Sequence, residues 1–272
     1  MFIIIINLNC WKKSPPLQSI DIIITCLATV RITLLVLYFK LIFYTIFKPL
    51  RMIIDTINEF ITILTITVEF CSLWWGSLLC VFYCVKITNY SNTFFMRLKM
   101  KISKMVPWLL LISLALSFLS SFPYKGFIFH NVSMYFNGTD SRTGNDLNWG
   151  IYFIVHFAGS IIPFTIFCIS VGLLIVSLLR HTRYMGNRNS GFSDAQRNIH
   201  LSVIQNMIFF LFFYVLHFLG SNLLPFCTRY KKHLLTPLCA IFYVALPSLH
   251  SISIILSNRE LKNAILIFLC CS

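Results

Sequence analysis

KITNYSNTFFMRLKMKISK, residues Lys86 to Lys104, separates two apolar runs, and its placement decides how the chain is threaded. Asn89-Tyr90-Ser91 fits the N-glycosylation acceptor pattern, which belongs outside the cell. Arg97, Lys99, Lys101 and Lys104 form a cationic run of the kind that stays in the cytosol. The conflict exists only if the flanking runs cross a membrane, and composition says that they do. Of 272 residues, 58% are hydrophobic and 11% charged, against about 25% charged in soluble domains. This is the composition of a polytopic membrane protein. Lys and Arg outnumber Asp and Glu by 22 to 8. Set between apolar segments, that excess is a topology signal, and nucleic acid is not an expected partner.

A bilayer core takes about 20 mostly apolar residues per helix. Six segments qualify, at about 20–43, 60–86, 106–123, 151–179, 201–224 and 235–257. The opening run, Met1 to Leu8, is too short to span. It has no basic n-region, and Trp11-Lys12-Lys13 stands where a cleavage site would be, so it is not a signal peptide. It reads as the inner end of a first span. With Cys10 to Ser19 placed in the cytosol, thirteen Lys and Arg fall on that side and seven on the other, and Arg31 and Lys40 lie within a span. The imbalance favours that orientation. The longest outer loop, about 124–150, then holds the sequons Asn131-Val132-Ser133 and Asn137-Gly138-Thr139, so Asn131 and Asn137 are the expected glycosylation sites. Residues 86–105 lie inside, Asn89 never meets the glycosylation machinery, and the C-terminus is cytoplasmic.

Cysteine adds little. Cys26, Cys71, Cys80, Cys84, Cys168 and Cys239 lie in apolar runs, and Cys10, Cys270 and Cys271 sit at span ends. Cys227 is left alone in a polar loop, so no outer-surface pair presents itself. Cys270 and Cys271 fit a weak palmitoylation pattern.

Enzyme signatures are missing: there is no HExxH, paired-cysteine zinc spacing, GxSxG or Walker loop. No metal or cofactor is expected. His250 and Ser251 are adjacent, about 100° apart around a helix, which argues against a base–nucleophile pair. The competing class is a helical-bundle transporter or channel. Such proteins often show internal repeats and midplane ion sites, whereas no repeat relates the halves here and Glu69 is the one carboxylate well inside a span. Short loops with one longer glycosylated outer loop suit a receptor that binds outside and shifts helices inside.

Intramembrane ionisable groups cost about 2.5–3.5 kcal/mol each and need an explanation. Arg31, in the second span, is either a switch anchor or a structural arginine holding the bundle together. Thr62, Thr65, Ile66 and Glu69 recur at i, i+3, i+4 and i+7 and share one face of the third span. Glu69 pairs with a cationic ligand, pairs with a basic neighbour, or sits protonated. His156, Ser160 and His217, on the outer halves of the fifth and sixth spans, line a pocket or are core groups with satisfied hydrogen bonds. Trp74, Trp75, Phe209, Phe210, Phe212 and Phe213 read as packing.

Several stretches then occur together in order. Leu27 to Arg31 reads LATVR, Phe82 to Ser91 reads FYCVKITNYS, and Leu98 to Ile102 reads LKMKI. Pro163-Phe164, Arg180-His181-Thr182, Gly191-Phe192-Ser193-Asp194 and His200 follow, and the last span closes with Pro247 to Ser251, PSLHS, and Asn258 to Lys262, NRELK. From about Asn9 onward the chain resembles the bitter taste receptors, the type 2 taste receptors of the G-protein-coupled class. Their patterns at these places are LAxSR, FYxLKIxxFS, LKxRI, PF, PSxHS and NxKLK. DRY, CWxP and NPxxY are absent, as they are in that family.

The resemblance implies an all-α membrane protein, a seven-transmembrane receptor bundle with an incomplete first helix and six full spans. Residues 1–262 form the receptor domain, with a partial first span at 1–8, and 263–272 form a short cytoplasmic tail. It implies a multi-pass plasma-membrane receptor that senses small, often amphipathic or cationic bitter molecules in an outer pocket. Thr62, Thr65, Ile66, Glu69, His156, Ser160, His217 and Tyr243 would line that pocket. Signalling would run through a gustducin-type heterotrimeric G protein, with Arg31, Tyr83, Lys86, Lys99, His181, His250 and Ser251 as coupling or switch positions. The basic residues among them suit anionic membrane lipid equally well. Two departures stand out. Glu69 occupies a position where many members carry asparagine, and the shortened first span reads either as an incomplete sequence or as a truncated receptor without function.

Overall fold

The computed structural model describes residue 4 and residues 18–47, 53–88, 93–124, 142–187, 194–229 and 235–257. Six long helices account for nearly all of them: α1 Ser19–Phe47, α2 Ile53–Ile87, α3 Thr93–Ser121, α4 Arg142–Asn187, α5 Asp194–Arg229 and α6 Leu235–Ser257. They are the second to seventh spans of the sequence reading. No strand occurs among the described residues. Five helices hold apolar segments long enough to cross a membrane, Ser19–Lys40, Phe60–Ile87, Phe95–Ser121, Phe153–Arg180 and Ile204–Leu224, and α6 contributes the shorter Leu235–Ala245.

The helices outrun the spans marked by hydropathy. α3 begins at Thr93, so most of the basic stretch quoted above is helical. Ile102 and Val106 are buried on one side, while Lys101 and Lys104 stay exposed on the other. Backbone hydrogen bonding continues into the headgroup zone because long cationic side chains keep their charges in water there. The same extension corrects the reading of Cys227. It lies not in a loop but in α5, buried beside Cys239 of α6.

Many hydroxyl side chains inside the spans are satisfied within their own helix, as a hydrocarbon surround favours. Thr25 donates to the Asp21 carbonyl at 2.6 Å, Thr65 to Ile61 at 2.7 Å and Ser117 to Ser113 at 2.7 Å. Other hydroxyls tie helices together. Thr67 lies 2.7 Å from Ser121 Oγ, and the Trp75 indole donates to Ser113 Oγ at 2.9 Å, both joining α2 to α3.

α2 is the most enclosed of the five long spans and α3 the most exposed. At the end of the bundle that the charge count assigns to the cytosol, Ile23, Leu27, Leu79, Phe82, Val85, Ile102 and Val106 pack α1, α2 and α3 together, and Ile4 rests against them. Ser19 donates to the Ser103 carbonyl at 3.1 Å at the same level. Toward the other end Ile66, Phe70, Leu73 and Tyr124 meet Phe167 and Val171 of α4 and Phe210 and Tyr214 of α5. Phe209 and Phe212 face outward while Phe210 is buried, so that aromatic run serves both lipid and helix neighbours.

Candidate functional site

Glu69 sits on the enclosed face of α2, and its side chain is 1% exposed. A carboxylate taken out of water survives only if its oxygens are matched. The Tyr243 hydroxyl of α6 donates to Oε2 at 2.6 Å, and His156 Nε2 of α4 lies 3.7 Å from Oε1. The two oxygens are therefore held unequally. The other ring nitrogen of His156, Nδ1, is 3.2 Å from Asn222 Oδ1 on α5, so both nitrogens face oxygens. Asn222 is in turn fixed by donating to the Phe218 carbonyl at 2.9 Å and to Ser160 Oγ at 3.3 Å. Ser160 itself donates to the His156 carbonyl at 2.9 Å. Side chains from α2, α4, α5 and α6 thus form one continuous buried chain of polar contacts.

Aromatic rings wall this chain. The His217 ring lies parallel to that of Tyr243, 5.9 Å between centroids at 7°, and Tyr38 of α1 approaches Tyr243 from another side at 4.9 Å. His217 Nδ1 is buried with no hydrogen-bond partner among the described residues. Phe70 and Tyr124 flank His156 at 5.5 and 6.4 Å. Two glycines let these groups close in. A Cβ on Gly159 would meet the Phe70 ring at 2.8 Å. One on Gly220 would meet Phe242 Cβ at 2.9 Å and the backbone of Cys239 and Tyr243 at 3.1 Å.

Of the residues expected in the pocket, the structure brings Glu69, His156, Ser160, His217 and Tyr243 together. Ile66 is buried close by in the Phe70–Tyr124 cluster. Thr65 is buried with its hydroxyl bonded to its own helix, and Thr62 is half-buried. Glu69 has the basic neighbour that one sequence reading required. Asn222, which connects His156 to Ser160, was missed. It lies close to the end of an apolar run, where hydropathy alone makes an asparagine look like the start of a loop.

The expected coupling positions are dispersed. Arg31 is buried on α1 at 7% exposure. Tyr83 is half-buried against the inner apolar cluster, Lys86 is exposed with Nζ 5.9 Å from the Phe82 ring centroid, and Lys99 is half-buried on α3. His181 belongs to α4, and His250 and Ser251 to α6, with side chains outside the described residues. Asn131, Asn137, Cys270 and Cys271 also lie outside them, as does nearly all of the short first span.

Comparison with known proteins gives the arrangement its context. The sequence model of the family described as Taste receptor protein (TAS2R) matches residues 1–272. Taste receptor type 2 member 1 of Chlorocebus aethiops is 31% identical over 98% of this chain and 89% of its own length. Member 9 of Papio hamadryas is 30% identical over 97% and 86%, and member 2 of Homo sapiens 29% over 99% and 90%. These are receptors rather than enzymes. A whole-length family match, relatives at about 30% identity and an all-helical bundle agree, and the chain belongs to the type 2 taste receptors, multi-pass membrane proteins of the G-protein-coupled class.

Proposed function

We propose that the chain detects small, often amphipathic or cationic bitter molecules that enter from the outer side between α2, α4, α5 and α6. The observation that carries this is the unequal hold on Glu69: 2.6 Å to Tyr243 on one oxygen, 3.7 Å to His156 on the other. A ligand ammonium competes with His156 for Oε1 while Tyr243 keeps Oε2. Displacing His156 disturbs Asn222 and with it the α4–α5 contact, so ligand binding acts on helix positions rather than on one side chain. Ile66, Thr65 and Thr62 extend the same face of α2, and His217 and Ser160 complete the wall.

On the inner side, Tyr83, Lys86, Lys99 and His181 are the coupling positions for a gustducin-type heterotrimeric G protein, with Arg31, His250 and Ser251 as switch positions within the bundle. The cations there also hold anionic lipid. The protein is placed in the plasma membrane with a cytoplasmic C-terminus and glycans on Asn131 and Asn137.

The test is expression of the chain with a chimeric G protein, a calcium reporter and a panel of protonated amines and neutral bitter compounds. Glu69→Gln should lower potency for amines about tenfold, or ~1.4 kcal/mol, and leave neutral compounds within about twofold, because it removes the charge but keeps hydrogen bonding. Equal loss for both classes, or none, removes Glu69 from recognition. A surface-expressed chain that instead shows substrate uptake or a constitutive current belongs with transporters or channels.

A further inference from the structure

Cys227 and Cys239 differ from the other described cysteines. Cys26, Cys71, Cys80, Cys84 and Cys168 are distributed along the apolar interiors of α1, α2 and α4. Cys227 lies two residues before the end of α5, and Cys239 lies in the second turn of α6, beside the polar segment that holds Arg229, Lys231 and Lys232. Both are buried, at 4% and 6% exposure, and their Sγ atoms are 3.9 Å apart.

The two helices run close together on this seam. Gly220 and Cys227 are seven residues apart and share one face of α5. A Cβ on Gly220 would sit 3.1 Å from the Cys239 carbonyl oxygen. The two sulfurs therefore face each other across a contact that the glycine fixes one level further in. A disulfide needs its sulfurs at about 2.0 Å, so the pair has to draw in from 3.9 Å.

We infer that Cys227 and Cys239 are joined by a disulfide in the mature receptor, tying the outer end of α5 to that of α6. This rests on the orientation proposed above, which puts the segment between them in the oxidising lumen of the secretory pathway. The two thiols lose two protons and two electrons. The acceptor is the disulfide of a thiol–disulfide oxidoreductase, which takes them up by exchange through a mixed disulfide and leaves as a dithiol. The same seam carries His217 on α5 and Tyr243 on α6, whose rings lie parallel. The bond thereby holds together the walls of the candidate site and makes its outer mouth sensitive to extracellular reductants.

The sequence supplies a direct test. Trypsin cuts after Arg197, Arg229, Lys232 and Arg259, giving the peptides Asn198 to Arg229 and His233 to Arg259 with one cysteine each. The full chain is expressed in cells with an epitope at 230–234, denatured with alkylating reagent, digested and analysed with and without reduction. The expected result is the linked pair before reduction, its loss afterwards, and no alkylation of either cysteine beforehand. Cys227→Ser should then leave Cys239 open to alkylation without reduction. If both cysteines alkylate in unreduced wild-type chain while antibody reaches the epitope on intact cells, the disulfide is overturned and the orientation stands. If antibody reaches the epitope only after permeabilisation, the orientation fails and the disulfide with it.

Discussion

Two polar clusters lie about two turns apart on α2, and opposite kinds of acceptor hold them. Around Ser77 the shortest bonds go to backbone carbonyls, with the Tyr214 hydroxyl at 3.2 Å as a side-chain contact. Its hydroxyl is 2.7 Å from the Pro163 carbonyl and 2.9 Å from that of Leu73, and Tyr214 donates to the same Leu73 carbonyl at 2.9 Å. Around Glu69 the first contacts are side chain to side chain, from Tyr243 and His156, with Asn222 beyond. A backbone acceptor is present whatever the local sequence, so the Ser77 cluster fixes helix positions. A cluster of side chains can be rewritten by substitution and rearranged by a ligand. The proposed ligand discrimination therefore rests on the rearrangeable cluster near Glu69, and the frame that keeps α2, α4 and α5 in register lies near Ser77.

The sharpest way to break this contrast is to remove one cluster and spare the other. Gly220→Val forces side-chain atoms against Phe242 Cβ and the backbone of Cys239 and Tyr243. It should cost about 3 kcal/mol, the upper range for overpacking. The measurable outcome is loss of mature receptor at the cell surface; normal surface levels would mean that α5 and α6 are not in this contact. Tyr243→Phe is milder. It deletes the donor to a buried carboxylate oxygen and should cost about 2 kcal/mol, in the range for hydrogen bonds to charged groups, read as a lower unfolding temperature in detergent. Ser77→Ala should be the smallest, about 0.6 kcal/mol, the average for interhelical hydrogen bonds within membranes, because Tyr214 keeps its bond to Leu73. Equal shifts for Tyr243→Phe and Ser77→Ala would erase the distinction between the two clusters.

The fold was largely legible because a bilayer imposes length and apolarity on each span, and both show in one sequence. What hydropathy missed was helix outside the apolar core. The first turns of α3 from Thr93 and the last turn of α5 around Cys227 are polar enough to read as loop, yet their backbone hydrogen bonds continue. The family was readable from short motifs spread along the chain. The candidate site was only partly so. Helical spacing put Ile66 and Glu69 on one buried face, but it says nothing about which helix supplies the partner. His156 and Tyr243 lie 87 and 174 residues from Glu69 in the chain, and only packing brings them together. Trp75 read as packing, and its hydrogen bond to Ser113 could not be anticipated without knowing how α3 sits against α2.

The exposed side of α3 makes the surrounding lipid a structural neighbour of the bundle. Between the exposed Lys104 and the exposed Phe122 the helix shows lipid a run of large apolar side chains, among them Trp108, Leu111, Ile112, Phe118 and Leu119. At 1.5 Å per residue that run rises about 27 Å. The apolar surface continues past Phe122 to the exposed Pro123, so this side of α3 is long enough to cross the roughly 30 Å hydrocarbon core of a bilayer. Because this face meets lipid and not protein, nearby lipids become part of the mechanical load on the bundle.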